Sequence, residues 1–484
     1  MKPLNIASIS AELAPFSKTG GLADVARSLP KALKRIGHNV IAITPLYGQV
    51  IDKEVYNLTL LHENVTLKLN SVDFVKVNYW QGYLMDGLPV YFVENLKYFS
   101  KRKSLYGSDH ENARFMVFNI AALRLLSLLK FKADIIHCHD WHTGLIPYFL
   151  KNGFQHSKTL EKAKTVFTIH NLVFQFGQNW WQIPLDKKDK GRSRLPHLDN
   201  HDLEYVNFAK RGILFADVVN TVSEQYREEI MTKNFGQDLQ RILKNREDRL
   251  FGIVNGIDYI SFNPSKDSSI VKSYDAGHLN LKKINKEFLQ KKLGFEVNPN
   301  VPLICATSRV TFQKGFELIV RILDHIAAMD IQLVVMGDGS KEYIAALKKA
   351  AKKYPRKIIW LPFRQELETQ IYAGSDIFLL PSHHEPCGIN QLIAMRYGCV
   401  PLVRKVGGLH DTVADFNPGK GKGYGFVFKH FNEFGLYGAL VRALEAYKNQ
   451  DLWRNITRQA MEVSTSWEIP AKKYEVLYKK ALKG

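Results

Sequence analysis

Short apolar runs recur along this chain, each followed by a loop and then by a stretch of helical periodicity, and they do so in two consecutive series. Nothing else in the sequence narrows the fold as much. In the first series residues 4–10 read as a strand, 11–21 as a loop, and 22–36 as a helix. Leu22, Val25, Ala26, Leu29, Leu33 and Ile36 fall at helical spacing, Gly37 closes the helix, and 39–43 form the next strand. That is a βαβ unit. Residues 64–95 alternate and carry Asp86-Gly87 between apolar runs, which predicts hairpins. A long helix follows over 111–130, then buried strands at 135–138 and 166–169. A polar stretch, 175–200, reads as a surface excursion, and further signals come at Val219 and 252–254. The second series has strands at 303–306, 332–336, 357–361, 377–380, 400–403 and 425–428, with helices between them that include 314–329 and 341–354. Two such series predict two doubly wound α/β domains facing across a cleft, with a hinge near 254–258.

A length of 484 residues agrees with two or three domains, and an apolar content of 45% is ordinary for a globular protein. No apolar run is long enough to span a bilayer, so no membrane partner is expected. The opening MKPLNIASIS lacks the pattern of a signal peptide. Cys138, Cys305, Cys387 and Cys399 are scattered, which suits reduced thiols and a cytoplasmic location. The net charge of +20 admits nucleic acid, an anionic ligand or simple solubility. The basic clusters at 187–190, 282–283 and 349–357 lack interleaved aromatics, so they are expected to be solvated surface and no nucleic-acid partner is expected.

The chemistry-bearing residues gather where strands should end. Asp376–Gly398 reads as a buried strand, a polar loop carrying Glu385, and a new helix near Gly388, the arrangement at which open α/β sheets bind ligands. Taken alone, Glu385 reads better as a carboxylate that merely favours a helix start, and the pattern in the other half of the chain shifts that balance. Ser308-Arg309 and Gln313-Lys314-Gly315 follow the first strand of the second series, where two cations before a helix could grip a diphosphate or lie in a solvated loop. Gly337-Asp338-Gly339 and Gly407-Gly408-Leu409 are glycine-rich turns after other strands. In the first half, Lys18-Thr19-Gly20-Gly21 stands between a strand and its helix, where paired glycines admit a ligand and Lys18 adds a charge. The segment 137–142, HCHDWH, places His137 and His139 on one face. It reads as a polar wall of a site rather than as a metal centre, and His170-Asn171 repeats the pattern after the next strand.

In order, the segments KTGGLADV (18–25), HDWH (139–142), TIHNL (168–172), VNGID (254–258), SR with QKG (308–315), EPCG (385–388) and GGLHDTV (407–413) resemble bacterial glycogen synthases and plant starch synthases, over about residues 4–470. The resemblance implies the two-domain GT-B glycosyltransferase fold. The N-terminal domain would span 1–253 and the nucleotide-sugar domain 254–464, with a helix in 465–484 returning to the first. It implies transfer of glucose from ADP-glucose to the non-reducing end of an α-1,4-glucan, with retention of configuration and without metal or cofactor. Carried over, Lys18, Gly20, Gly21 and Asp24 would face the sugar diphosphate, and Arg309 and Lys314 would neutralise the departing diphosphate. Glu385 would act with the backbone of Cys387, Gly388 and Ile389 on the glucosyl hydroxyls and distal phosphate. Asp140 and His170 would line the glucose from the acceptor side, Asn255 would contact substrate, and Phe363 would stack on the adenine. Ile393 stands where many GT-B enzymes carry a second glutamate, which fits glycogen and starch synthases. Phe363 follows Pro362 where relatives often have Gly-Tyr, and Val406 stands where threonine often does. Two other readings remain at this point: a GT-B enzyme using UDP-glucose on a small acceptor, and a basic nucleic-acid binder.

Overall fold

A computed structural model describes residues 2–69, 72–102 and 104–483. Asn70 and Ser71, inside the stretch read as hairpins, lie outside the described residues, as do Met1, Lys103 and Gly484. The chain divides into two compact units, residues 1–253 with 467–484, and residues 254–466.

The first unit is built on a sheet in the order β3-β4-β5-β2-β1-β6-β7-β8-β9. Its strands are β1 (Asn5–Ser10), β2 (Asn39–Pro45), β3 (Thr59–Lys68), β4 (Phe74–Tyr83), β5 (Pro89–Glu94), β6 (Ile135–His139), β7 (Lys164–Ile169), β8 (Val218–Thr221) and β9 (Leu250–Gly252). From β5 to β9 the pairing is parallel, while β3, β4 and β5 form the antiparallel edge expected of residues 64–95. The turn read from Asp86-Gly87 joins β4 to β5, and Gly87 supplies the positive φ, 71°, that such a turn demands. Buried apolar side chains cover both faces of the central strands, which is why those strands read as continuous apolar runs. The helix Glu468–Lys483 belongs to this unit, with Tyr474 and Tyr478 fully buried.

The second unit has a parallel sheet in the order β12-β11-β10-β13-β14-β15. These strands are β10 (Leu303–Thr307), β11 (Gln332–Met336), β12 (Ile358–Leu361), β13 (Ile377–Leu380), β14 (Val400–Arg404) and β15 (Phe426–Phe428). The order reverses between β10 and β13, which creates a switch point at their carboxyl ends. In the first sheet the same reversal lies between β1 and β6. Two doubly wound α/β units are therefore present, as the alternating pattern predicts.

Three expectations need correction. The helix expected over 314–329 starts only after Gly315 and is interrupted, giving Phe316–Arg321 and Leu323–Ala328, because Ile322 leaves the helical region at φ −105°, ψ 7°. Lys282, read as solvated, is buried, and its Nζ donates to the carbonyls of Tyr372 (2.9 Å), Ala373 (2.7 Å) and Tyr397 (3.0 Å). It thereby caps two helix ends that would otherwise hold unpaired carbonyls, and burial pulls its pKa down to about 8. The stretch 175–200 is anchored rather than merely superficial: the buried Asp189 takes a two-pronged grip from Arg211, at 3.0 and 2.9 Å. No helix among the described residues is long and apolar enough to cross a membrane.

Candidate functional site

In the second unit the predicted residues converge on the switch point. Lys314 follows β10 and Glu385 follows β13, and Lys314 Nζ lies 2.6 Å from Glu385 Oε2. Glu385 is 4% exposed, and Ser382 Oγ donates to the same oxygen at 3.0 Å. The backbone makes this meeting unavoidable. Gly315 sits at φ 78°, and a Cβ there would fall 2.0 Å from the Pro381 carbonyl oxygen, so only glycine lets the two loops touch. Gly407, at φ 44°, likewise presses on the Glu385 carbonyl, leaving 1.9 Å for a Cβ, and the Gly408 N–H donates to that carbonyl at 3.0 Å. The Arg404 guanidinium holds the carbonyls of Ser382 and His383, and the His383 N–H donates to the Gln313 carbonyl at 2.8 Å. The loop 382–388 is thus pinned from the ends of both neighbouring strands, β10 and β14.

Around this pair the other predicted residues take distinct places. Arg309 is exposed on the loop after β10 and forms no ion pair among the described residues. Cys387 is buried, and burial pushes its thiol up to about 12 although Asn255 hydrogen-bonds it, so it stays a thiol rather than a nucleophile. Gly388 is at φ 73°, Ile389 stands at the start of the helix Asn390–Arg396, and Asn390 Nδ2 ties that helix to the Thr307 carbonyl at 2.7 Å. Phe363 is 51% exposed beyond β12, its N–H donating to Asp338 Oδ2 at 3.1 Å, which joins it to the Gly337–Gly339 turn.

The first unit gathers its residues at its own switch point. Lys18 pairs with Asp24 at 2.8 Å, so the charge expected to face a diphosphate is held by the residue read as its partner in binding. Gly20 has open space where a Cβ would stand. Asp140, at the end of β6, adopts φ 63° and ψ 176°, a strained backbone for a non-glycine residue, and its N–H donates to the Thr168 carbonyl at 2.8 Å. Burial pushes its carboxyl up to about 8, against the pull of the Trp141, His170 and Asn171 N–H groups.

Behind Asp140 lies a histidine ladder, buried at His137 and His139 and half-buried at His170. His137 and His139 share a face as the strand period predicts, with ring centroids 4.1 Å apart. His139 Nδ1 is 3.1 Å from His170 Nε2, and its Nε2 is 3.2 Å from Ser8 Oγ. His137 bonds Thr168 Oγ1 at 2.6 Å and the Tyr478 hydroxyl at 2.8 Å. Burial drives His137 and His170 down to about 3 and holds His139 and His142 well below the usual value, so all four are neutral. Among the described residues no group of His, Cys, Asp or Glu is arranged to hold a metal.

Two participants escape sequence reasoning. Glu12, 3% exposed, accepts from the Thr19 N–H (2.5 Å), the Thr19 hydroxyl (2.6 Å) and the Tyr106 hydroxyl (2.7 Å), and so fixes the loop that carries Lys18. The only local signal is a lone carboxylate between a strand and its helix. His384 is half buried with Nε2 unpartnered among the described residues, next to Glu385. Its signal is the doubled histidine in the polar loop.

Known proteins share this architecture. Residues 5–245 match the family model described as starch synthase catalytic domain, and residues 285–460 match the one described as glycosyl transferases group 1. A glycogen synthase of Bacillus cereus (strain ZK / E33L) is 40% identical, over 98% of this chain and 99% of that protein. One of Geotalea daltonii is 41% identical over 99% of both. The catalytic domain of starch synthase IV from Arabidopsis thaliana, solved bound to ADP and acarbose, superposes with a TM-score of 0.88 at 32% identity over 100% of both chains. A sucrose-phosphate synthase from Thermosynechococcus elongatus shares the fold alone, with a TM-score of 0.63 at 16% identity and 99% coverage of both chains. Likeness at this level over the whole length makes the chain a member of the glycogen and starch synthase family of GT-B glycosyltransferases.

Proposed function

We propose that the protein transfers glucose from ADP-glucose to the non-reducing end of an α-1,4-glucan, with retention of the anomeric configuration and without a metal ion. The observation that carries this reading is the Lys314–Glu385 pair, a cation and a carboxylate 2.6 Å apart at the switch point of the second sheet. Breaking a sugar–phosphate bond develops positive charge on the ring and negative charge on the diphosphate, and fixed charges of opposite sign stabilise both. Without a donor the two side chains satisfy each other. With one bound, Lys314 turns to the diphosphate beside Arg309, and Glu385 accepts from glucosyl hydroxyls near the ring. Cys387, Gly388 and Ile389 offer backbone N–H groups to the same end of the donor, Asn255 sits behind them, and Phe363 presents an exposed ring for adenine to stack on. Two cations do the work on the diphosphate that a metal would otherwise do.

Residues of the first unit serve the remaining groups. Lys18 and Asp24, with Gly20 and Gly21, face the sugar diphosphate, and the open space at Gly20 lets backbone approach it. Asp140 and His170 serve the acceptor side. His170 is neutral and has one ring nitrogen engaged by His139, so its other nitrogen, which has no side-chain partner among the described residues, can bond a sugar hydroxyl. Neutral groups here suit a step in which water must be excluded while an uncharged hydroxyl attacks.

The deciding experiment is incorporation of labelled glucose into glycogen from ADP-glucose and, in parallel, from UDP-glucose. Faster transfer from ADP-glucose is expected, with the new linkage cleaved by an exo-amylase specific for α-1,4 bonds. A preference for UDP-glucose overturns the donor, a resistant linkage overturns the α-1,4 product, and no transfer from either overturns the reading.

A further inference from the structure

Two adjacent tryptophans in the connection after β7 are treated in opposite ways. Trp180 is 4% exposed, edge-on to Phe176 with centroids 6.0 Å apart, whereas Trp181 is 63% exposed. That exposure comes with a fixed orientation. The Trp181 backbone N–H donates to Asn179 Oδ1 at 3.1 Å, and its indole N–H donates to Gln237 Oε1 at 3.1 Å. The Trp180 indole N–H donates to Asp238 Oδ2, also at 3.1 Å. Gln237 and Asp238 both stand at positive φ, 48° and 68°, where residues other than glycine are uncommon. Such strain persists where the surroundings over-determine it, and it clusters at ligand clamps. Here two strained neighbours use their side chains to hold two indoles, and Gln175 Nε2 grips the Gln237 carbonyl at 2.7 Å. The donor group of Trp181 is thereby consumed inside the protein, and what the chain offers outward is an aromatic face.

We propose that Trp181 is a stacking platform for an α-1,4-glucan chain, in addition to the residues assigned above to transfer; the proposal rests on the glucan acceptor inferred there. A pyranose ring turns one face of C–H groups outward, and these pack against the negative face of an aromatic ring, while its hydroxyls project from the rim. A pre-oriented ring binds with little loss of freedom. The polar side chain of Gln237 borders the indole. Lys188, 4.4 and 5.4 Å from the two indoles, lies 3.7 Å from the Asp238 carboxylate, and Lys210, 4.7 Å from the Trp180 ring, donates to the Asp189 carbonyl at 2.6 Å. The cation nearest the exposed Trp181 ring is therefore paired, which suits a neutral polymer better than a polyanion. The same connection leaves the sheet at His170, the strand end assigned to the acceptor.

The test compares glycogen, a long branched acceptor, with maltotriose, a short one. Trp181→Ala should raise KM for glycogen about three- to tenfold, the loss of one aromatic stacking contact. It should leave KM for maltotriose and turnover at saturation unchanged, and Trp181→Tyr should restore most of the difference. In native gels containing glycogen the wild type should be retarded and Trp181→Ala less so. Gln237→Gly, which keeps the ring and frees its orientation, should be intermediate. An unchanged melting temperature establishes that the variants are folded. Unchanged glycogen KM and retardation in folded Trp181→Ala overturn the platform. So does loss of single-stranded oligonucleotide binding, or of self-association in sedimentation, with glycogen retardation intact. Retardation needs no donor. A wild type that ignores ADP-glucose but shows Trp181-dependent retardation keeps the platform and overturns the transfer reading instead.

Discussion

At the switch point of the second sheet a lysine and a glutamate touch, while at that of the first sheet an aspartic acid and four histidines, three of them buried, are held neutral. Both clusters follow from the same architectural fact, the reversal of strand order at carboxyl ends. They differ in what sets their charge. Pairing keeps Lys314 and Glu385 close to each other's opposite sign, and desolvation strips charge from Asp140 and the histidines. The lesson is that one topology supplies two kinds of site. The first unit should therefore answer chiefly to pH, and the second chiefly to the removal of a charge.

The largest expected effect is on turnover. Glu385→Gln keeps the shape and gives up the charge, and kcat should fall by about 10²–10³, the usual loss of one electrostatic contact to the transition state. Near wild-type kcat in a folded variant would break the contrast at its charged end. Lys314→Ala sharpens it: kcat should fall by more than KM for ADP-glucose rises, because charge on the leaving group grows as the bond breaks. A raised donor KM with kcat intact would mark uniform binding.

Acid should separate the two units next. A histidine whose folded pKa is depressed contributes stability that is complete above the unfolded value of about 6.5 and is lost as pH falls towards the folded value, here about 3 for His137 and His170. Each such group costs on the order of 1.4 kcal/mol per pH unit across that window. The first unit has four in or just after β6 and β7, while the second has His383 and His384, the latter at about 4. Hydrogen exchange, corrected for intrinsic rates, should lose protection in β6 and β7 before β10 and β13 as pH drops from 6.5 to 4. Simultaneous loss would remove the distinction.

A smaller effect tests Asp140 alone. Its folded pKa, about 8, lies above the unfolded value of about 3.9, so its contribution is full below pH 4 and is lost as pH rises to 8. Asp140→Asn should accordingly melt above the wild type by a margin that widens from pH 4 to 8 and then stays level. A constant offset in Tm across that range would show that burial does not govern this carboxyl. The smallest effect is none at all: EDTA should leave turnover unchanged. Loss restored by a divalent ion would require the histidine ladder to be reread as a metal centre.

Much of the fold was legible because strand burial is a local property. Residues 377–380 are apolar throughout, 332–336 are apolar after Gln332, and both are strands over those same limits, while Asp86-Gly87 marks its turn by backbone chemistry alone. The site was legible as segments, since strand-end loops announce themselves by glycine and charge. The partnerships were not. Lys314 meets Glu385 across 71 residues, and Lys282 finds carbonyls 90 and more residues away, so neither pairing leaves a local trace. Lys18 and Asp24 stand one and a half helical turns apart in sequence, yet whether they face a ligand or each other depends on the loop that Glu12 fixes. Trp181 carries no periodic signal whatever; its meaning lies in Gln237 and Asp238, which a sequence shows only as two polar residues.

The helix Glu468–Lys483 has a consequence for how the protein is made. His137 takes one of its two hydroxyl partners from Tyr478, 341 residues later in the chain, and Asn220 Nδ2 reaches Tyr474 at 3.2 Å. A ribosome therefore delivers every strand of the first unit long before the piece that covers β7 and β8. The second unit, whose residues are contiguous, is complete first, against the usual order in which N-terminal domains finish ahead of those behind them. Until that helix is made, the nascent first unit presents His137 without its Tyr478 partner and an unfilled apolar face. A premature stop just before Trp467 would leave the nearby unit whole and injure the distant one.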